Sequence, residues 1–592
     1  MKNKFVNKQD CDILNAILSS GFSTQRDISE KSGHSLGVVN QSVKELRENG
    51  YLDNELEPTE KARDEAEKTR PRRAIILAAG FGMRMVPINN EVPKGLLEVN
   101  GETLIERIIR QLHEVGITEI YVIVGFLKER YEYLIDKYDV RLVVNSEYAY
   151  RNNIHSLKLV SFHLANAYII PCDIHSGFNP FNRYESYSWY MVSDKPDTVS
   201  TVRVNRSMEL VTLKKGEIGN AMIGISYLTP DTADIIRKRL DELCSNSRYD
   251  NSFWEETLYE KNKMIVAARA VPSSEVVEIN TYEQLREIDE NSDNLKSDAI
   301  ETICSALNVS PDSVTDIKVL KKGMTNRSFL FKVADRKYIM RIPGEGTDQL
   351  INRRQEAEVY NLIRDKDICD NIIYINPENG YKITEFLEGT RVCNPLDRKD
   401  VLKCMKRLRN FHDLNLTVDH EFNIFDKIEF YESLWNGEKS AYRDYEETKK
   451  DVLSLKPYIE SHIGRRCLTH IDAVPDNFLI REKDGKEDIR LIDWEYAGMQ
   501  DSDVDIAMFA VYAMYDTPKQ IDDLIDAYYT EGCSKETRIK IYCYIAACGL
   551  LWSNWCEFKR NLGVDFGEYS LRQYRFAKDY YGLAVKEGNS VI

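Results

Sequence analysis

Several things are missing from this chain of 592 residues. It has twelve cysteines but no CxxC pair and no cysteine–histidine cluster at zinc spacing, so a metal-thiolate site is not expected. Scattered thiols predict a reducing compartment, the cytoplasm. No run of 18 or more apolar residues occurs, which predicts no membrane-spanning helix. Met1-Lys2-Asn3-Lys4-Phe5 leads into polar sequence, so no secretory leader is expected. Positive charge is in deficit, with a net charge of −16. That argues against a chain devoted along its whole length to nucleic acid, but leaves room for a small DNA-binding module.

The length is too great for one core and predicts three domains, bounded at 1–70, 72–292 and 293–592. The fold class expected is multidomain α/β and α+β. In the first segment, Cys11, Ile13, Leu14, Ile17 and Leu18 have helical spacing. Ser23-Thr24 caps a second helix, and Ser35 to Asn49 forms a third, with Val38, Val39, Val43 and Leu46 on one side. Gly50-Tyr51-Leu52 reads as a strand, and charged residues 60 to 70 as a linker. The pattern resembles the winged helix-turn-helix of MarR-like repressors, which implies DNA or a protein as partner. A helical oligomerisation or docking domain is the alternative. Only Lys44 and Arg47 on the third helix would meet phosphates.

From residue 72 strands and helices alternate. Apolar strands are expected at Arg73 to Ala78, Glu119 to Val124, Arg141 to Val144 and Ala167 to Ile170, with an amphipathic helix at Leu104 to Val115. This is the rhythm of a doubly wound α/β domain. Leu77-Ala78-Ala79-Gly80-Phe81-Gly82-Met83-Arg84 puts a glycine turn after a buried strand, where backbone N–H groups can approach phosphates. Arg84 and Lys94, in Val92-Pro93-Lys94, add positive charge where pyrophosphate would leave. The string resembles the signature of sugar-phosphate and choline-phosphate nucleotidyltransferases. The resemblance implies that Asp173 and Asn280 hold Mg²⁺, with Asn280 where many relatives carry Asp. Asn152, Asn153 and Ser156 resemble the bacterial CTP:phosphocholine cytidylyltransferases, which implies nucleotide and acceptor contacts. A capped helix start is the other reading. Trp189, Phe253, Trp254 and Glu255 are candidates for a trimethylammonium pocket, or for core.

After residue 310 a small β-rich segment (Asp316 to Leu320, Ser328 to Val333, Lys337 to Ile342) precedes helices, the layout of a bilobal protein-kinase-like domain. His470-x-Asp472-x-x-x-x-Asn477 has catalytic-loop spacing. Asp472 would accept the substrate hydroxyl proton, and Asn477 and Asp493 would bind Mg²⁺. Met324-Thr325-Asn326-Arg327-Ser328 fits a loop covering the nucleotide. Arg341 stands in place of the usual strand lysine, with Glu356 as its expected partner. These features resemble the choline kinase and aminoglycoside phosphotransferase superfamily. Trp552 and Trp555 share a helix face and resemble its choline-binding tryptophans, with Glu495 and Tyr569 or Tyr574 completing a cage.

Together the resemblances imply choline phosphorylated by ATP, then cytidylylated by CTP to CDP-choline. Ethanolamine or another amino alcohol, a sugar kinase joined to a sugar nucleotidyltransferase, and a DNA-binding regulator that senses choline or CTP are the competing readings. Homo-oligomerisation is left open.

Overall fold

The protein was analysed as a computed structural model. It describes residues 7–588 except 21, 23, 89–91, 215, 321–325, 345, 346, 348, 349, 484, 516 and 562–565. The sequence calls on Met1 to Phe5, Ser23, Met324 and Thr325 lie outside the described residues. The chain divides into two compact units. The first runs to Glu301 and takes in Ile317–Val319; the second holds Thr302–Asp316 and Leu320 onward. The architecture is multidomain: a winged helix-turn-helix, a Rossmann-like α/β core and a bilobal kinase-like fold.

The winged helix opens the first unit. Helices Lys8–Ser20, Gln25–Ser32 and Leu36–Glu48 bury Ile13, Ile17, Ile28, Val39, Val43 and Leu46 against one another. Thr24 caps the second helix by accepting the Asp27 N–H. Leu52 bridges to Pro58 to form the wing. On the third helix Lys44 lies 3.8 Å from Glu48, and Arg47 donates to Asn54. Residues 60 to 70 are not the linker that their charge suggested. Glu60–Lys68 is a helix capped by Thr59, and its Ala62 and Ala66 are buried. One turn apart, two alanines are enough to seat a helix whose other positions are polar. The first helix also docks on the α/β core. Asp12 accepts a 2.7 Å bond from the Tyr187 hydroxyl and lies 3.0 Å from His34 Nε2, and Asn15 accepts from Ser186.

The core sheet begins with parallel strands in the order Arg141–Val144, Glu119–Val124, Arg73–Ala78, Ala167–Pro171. Antiparallel Gly219–Leu228 and Trp189–Asp197 continue it, then Lys263–Val271. The three inner parallel strands are apolar and buried along almost their whole length, as parallel strands require, while Arg141–Val144 at the edge exposes Arg141 and Val144. Strand order reverses beside Arg73–Ala78, and open α/β sheets place ligands at the carboxyl ends of the strands around such a point.

In the second unit, strands Asn326–Val333, Arg336–Pro343, Lys382–Glu385 and Ile372–Ile375 pair antiparallel in that order. Helix Arg353–Ile363 follows the second of them. The larger lobe centres on helices Asp503–Ala513 and Lys535–Asn561, both buried almost throughout. Gly549 lets Glu568–Gly588 press close: a Cβ there would sit 2.6 Å from the Gln573 carbonyl oxygen.

Candidate active sites

The first site forms at the end of strand Arg73–Ala78. Leu77, Ala78 and Ala79 are buried and anchor the turn, which exposes Gly80. Gly82 has φ +63°, and a Cβ there would lie 2.8 Å from Lys94 Cγ. Only glycine meets both conditions without strain. The turn thus lays the Lys94 stem across the site. Lys94 Nζ donates to Asp173 Oδ2 at 2.6 Å and to Asn280 Oδ1 at 2.7 Å. A short ladder brings the two oxygen donors together: Val276–Glu278 pairs with Ile174–Ser176, and the Ile279 N–H donates to the Asp173 carbonyl. Residues i and i+2 of an extended segment share a face, which brings Glu278 in beside Asn280. Burial, then the Asp173 charge, pushes the Glu278 carboxyl up, while Lys94 and Arg84 oppose the rise. In the sequence Glu278 marks only the segment Glu278-Ile279-Asn280 that carries the expected ligand Asn280, although its spacing from Asn280 was a usable signal for a role of its own. It adds a third carboxyl or amide oxygen group beside Asp173 and Asn280.

Asn152 caps helix Asn153–Leu159. Asn153 Oδ1 accepts the Trp254 N–H, and Ser156 Oγ accepts from Asn145 Nδ2. Both side chains expected at the nucleotide thus have internal partners. The aromatic pocket expected here does not form from its tryptophans. Trp189 and Trp254 are fully buried in two separate core clusters, where Trp189 meets Tyr168 and Arg269 and Trp254 meets Tyr190. Phe253 is exposed. Glu255 remains as an acid: the Tyr190 hydroxyl donates to its Oε1 at 2.9 Å, and its buried Oε2 has no partner. Burial pushes its carboxyl up to about 7.

The second site is a cavity of about 630 Å³ in the second unit. It brings together Asp472, Asn477, Asp493, Glu495, Arg341, Trp552, Trp555 and Tyr569. Asp472 sits in a tight catalytic loop. Ile471 before it is held at φ +69°, in the left-handed region that β-branched residues avoid. Asp505 holds that strain in place by accepting the His470 and Ile471 N–H groups at 2.9 and 2.7 Å. His412, fully buried, holds Asp505 Oδ2 at 2.9 Å. Asn477 donates to Asp472 Oδ2 at 3.0 Å. Burial, with Asp493 and Glu495 adding repulsion, pushes Asp472 up to about 8. Burial also raises Asp493 and Glu495, and it lowers His470 to about 4, so that imidazole is neutral.

Arg341 donates to both Glu356 oxygens, the Nη2 bond being 2.9 Å, and Arg353 adds a third bond at 3.0 Å. Burial would raise Glu356, but Arg341, Lys382 and Arg353 together hold it below the usual carboxylate range. Asn326 donates to Glu495 at 2.8 Å. The aromatic rings meet nearly edge to face: Trp552 is 5.9 Å from Trp555 at 84° and 5.9 Å from Tyr496 at 84°. Tyr512 and Tyr569 form another wall. Tyr496 and Tyr512 were missed in the sequence. Tyr574 is not part of the box; it stacks on Tyr442 at 3.8 Å and donates to Asp444.

Comparison with known proteins follows the same division. Residues 6–53 match the winged helix-turn-helix DNA-binding model, residues 74–175 the MobA-like NTP transferase domain, and residues 317–547 choline/ethanolamine kinase. The choline-phosphate cytidylyltransferase of Streptococcus pneumoniae is 33% identical over 224 residues, 37% of this chain and 97% of that protein. The 2-aminoethylphosphonate cytidylyltransferase of Lancefieldella rimae is 30% identical over 241 residues, 38% of this chain and 93% of that protein. The chain belongs to this cytidylyltransferase family. Protein LicA of Haemophilus influenzae is 25% identical over 264 residues, 42% of this chain and 96% of that protein. The protein is therefore an enzyme that fuses a winged helix, a cytidylyltransferase domain and a choline/ethanolamine-kinase-like domain. Among the described residues no helix is long and apolar enough to cross a membrane.

Proposed function

We propose that this enzyme makes CDP-choline from choline in two steps. The observation that carries the reading is the single cavity in which Asp472 faces a box of Trp552, Trp555, Tyr496 and Tyr569. A quaternary ammonium ion cannot donate a hydrogen bond, so aromatic faces and a nearby carboxylate are its natural partners. Glu495 supplies the carboxylate. Choline seated there would offer its hydroxyl to Asp472. Asp472 takes the proton, the oxygen attacks the γ-phosphorus of ATP, and the bond to the β-phosphate oxygen breaks to release ADP.

In the first unit, a phosphate oxygen of phosphocholine attacks the α-phosphorus of CTP and pyrophosphate leaves. The nucleophile is already anionic, so positioning and charge neutralisation by Arg84 and Lys94 carry the step. Glu255 would be the acid for the ammonium end, with its Oε2 unpartnered.

The residues fit Mg²⁺. Among the described residues no three carboxylate, imidazole or thiolate groups converge as a preformed metal cage. The oxygen donors come in pairs, Asp173 with Asn280 and Asn477 with Asp493. That suits an ion that keeps waters and shares substrate phosphates. The Lys94 ammonium that donates to both Asp173 and Asn280 supports reading the pair as a cation site. When bound, Mg²⁺ would neutralise phosphate charge.

The test is to incubate the full chain with choline, ATP, CTP and Mg²⁺ and resolve the products by mass spectrometry. CDP-choline with ADP and pyrophosphate supports both steps. Turnover of ethanolamine but not choline would replace the substrate, a second reading favoured by the 2-aminoethylphosphonate relative. For the winged helix the reading is a regulatory module that binds DNA or a protein. Promoter fragments bound no tighter than random DNA in fluorescence anisotropy would remove DNA.

A further inference from the structure

Five acids line the cavity of the second unit: Asp370, Asp472, Asp476, Asp493 and Glu495. Asp472 is the base of the proposed phosphorylation, and Asp493 is one of the oxygen donors for its metal. Glu495 accepts from Asn326 at 2.8 Å and has Arg353 and Arg341 at 3.5 and 3.7 Å, so part of its charge is already neutralised. Asp370 belongs to the small lobe, two residues ahead of strand Ile372–Ile375. Asp476 is left. It is exposed, and among the described residues no cation comes within 4.0 Å of its carboxylate.

Its place is set from two sides. Pro475–Asn477 is a single tight turn, closed by the Asn477 N–H on the Val474 carbonyl at 3.0 Å, and the Val474 N–H reaches the Asp472 carbonyl at 2.7 Å. The turn that aims Asn477 thus also fixes Asp476 relative to Asp472. From the other side the Tyr512 hydroxyl donates to Asp476 Oδ2 at 3.0 Å. Burial, then the Asp476 charge, holds the proton on that phenol, so it stays a donor. Tyr512 stands on helix Asp503–Ala513, seven residues after the Asp505 that holds the catalytic loop. Two turns apart, both lie on one helix face. The Tyr512 ring meets Tyr569 at 6.1 Å and 64°, and both rings line the cavity with Trp552 and Trp555. An ordered carboxylate with no cationic partner therefore borders an aromatic box whose rings carry no net charge.

We propose that Asp476 is a specificity residue of the second unit, which makes the cavity select a cationic acceptor over a neutral alcohol of the same shape, and that Tyr512 positions it. A quaternary ammonium has no N–H to donate, so a carboxylate acts on it through Coulomb attraction alone. That calls for an acid whose charge is not already neutralised. The inference rests on the choline reading of this cavity.

The experiment compares choline with 3,3-dimethylbutan-1-ol, its neutral carbon analogue, in the full chain, in Asp476→Asn and in Tyr512→Phe. Steady-state phosphorylation gives the KM for choline, and competition by the alcohol in the same reaction gives its Ki. Asp476→Asn should raise the KM for choline roughly 3- to 30-fold, the Coulomb effect of one partly screened charge. The Ki of the alcohol and the KM for ATP should not change. Tyr512→Phe frees the carboxylate but keeps its charge, so it should lower the preference for choline by less. Added salt should reduce the preference in the unaltered protein and leave it nearly constant in Asp476→Asn. A choline-to-alcohol ratio in Asp476→Asn within twofold of the unaltered protein overturns the proposal. So does an equal weakening of choline and alcohol, or a raised KM for ATP, either of which marks a displaced Asn477. If ethanolamine alone turns over, propan-1-ol is its neutral counterpart and the same ratios decide. Failure of the kinase reading shows in the unaltered protein, which would phosphorylate neither choline nor ethanolamine, and it removes the proposal as well.

Discussion

Glu255→Gln should change how the stability of the first unit depends on pH. The native carboxyl holds its proton up to about 7, against an ordinary value of 4.5, because its head is buried and Oε2 has no partner. Between those two values the native state binds a proton that the unfolded chain has released, so unfolding becomes easier as pH rises. The penalty is absent below 4.5, grows by about 1.4 kcal/mol per pH unit, and levels off above 7 at about 3 kcal/mol. Glutamine cannot titrate. It keeps an oxygen for the Tyr190 hydroxyl, and it adds an amide donor in place of Oε2. The unpaired amide costs about 1–3 kcal/mol, but equally at every pH. The slope of the difference between the two proteins is therefore the signature, not its absolute size. Urea titration read by hydrogen-exchange mass spectrometry, at peptides covering Arg73–Ala78 and Ala167–Pro171, reports this unit alone. Relative to the unaltered protein, Glu255→Gln should gain about 3 kcal/mol between pH 4.5 and 7. Parallel curves over that range would refute the buried, proton-holding carboxyl.

Two further outcomes follow from the second site. Asp472→Asn should lower kcat for choline phosphorylation by about 10²- to 10⁴-fold while cytidylyl transfer to supplied phosphocholine continues; coupled steady-state assays on one preparation give both rates, and equal loss of both would deny separate sites. Trp552→Leu removes one face of the box and should raise the KM for choline roughly 3- to 30-fold with kcat little altered, from a cation–π contact of about 0.5–2 kcal/mol; a KM within twofold in the same assay would take choline out of the box.

The parallel strands were readable because burial on both faces leaves unbroken apolar runs, and the catalytic groups because they sit at strand ends within short stretches of chain. Asp472, Asn477 and Asp493 meet in one cavity for that reason. Local sequence misled where the answer depended on facing. The charged composition of residues 60 to 70 hid the two buried alanines, and an indole reads the same whether it points into a core or a pocket. Trp189 illustrates the second case: Arg269, eighty residues on, lies 3.6 Å from its ring and is held there by Glu185.

Strand register hid the rest. Glu278 gains its place only by pairing with Ile174 next to Asp173. The oxygen donors of the first site are brought together by a ladder between segments about a hundred residues apart, which no local spacing announces.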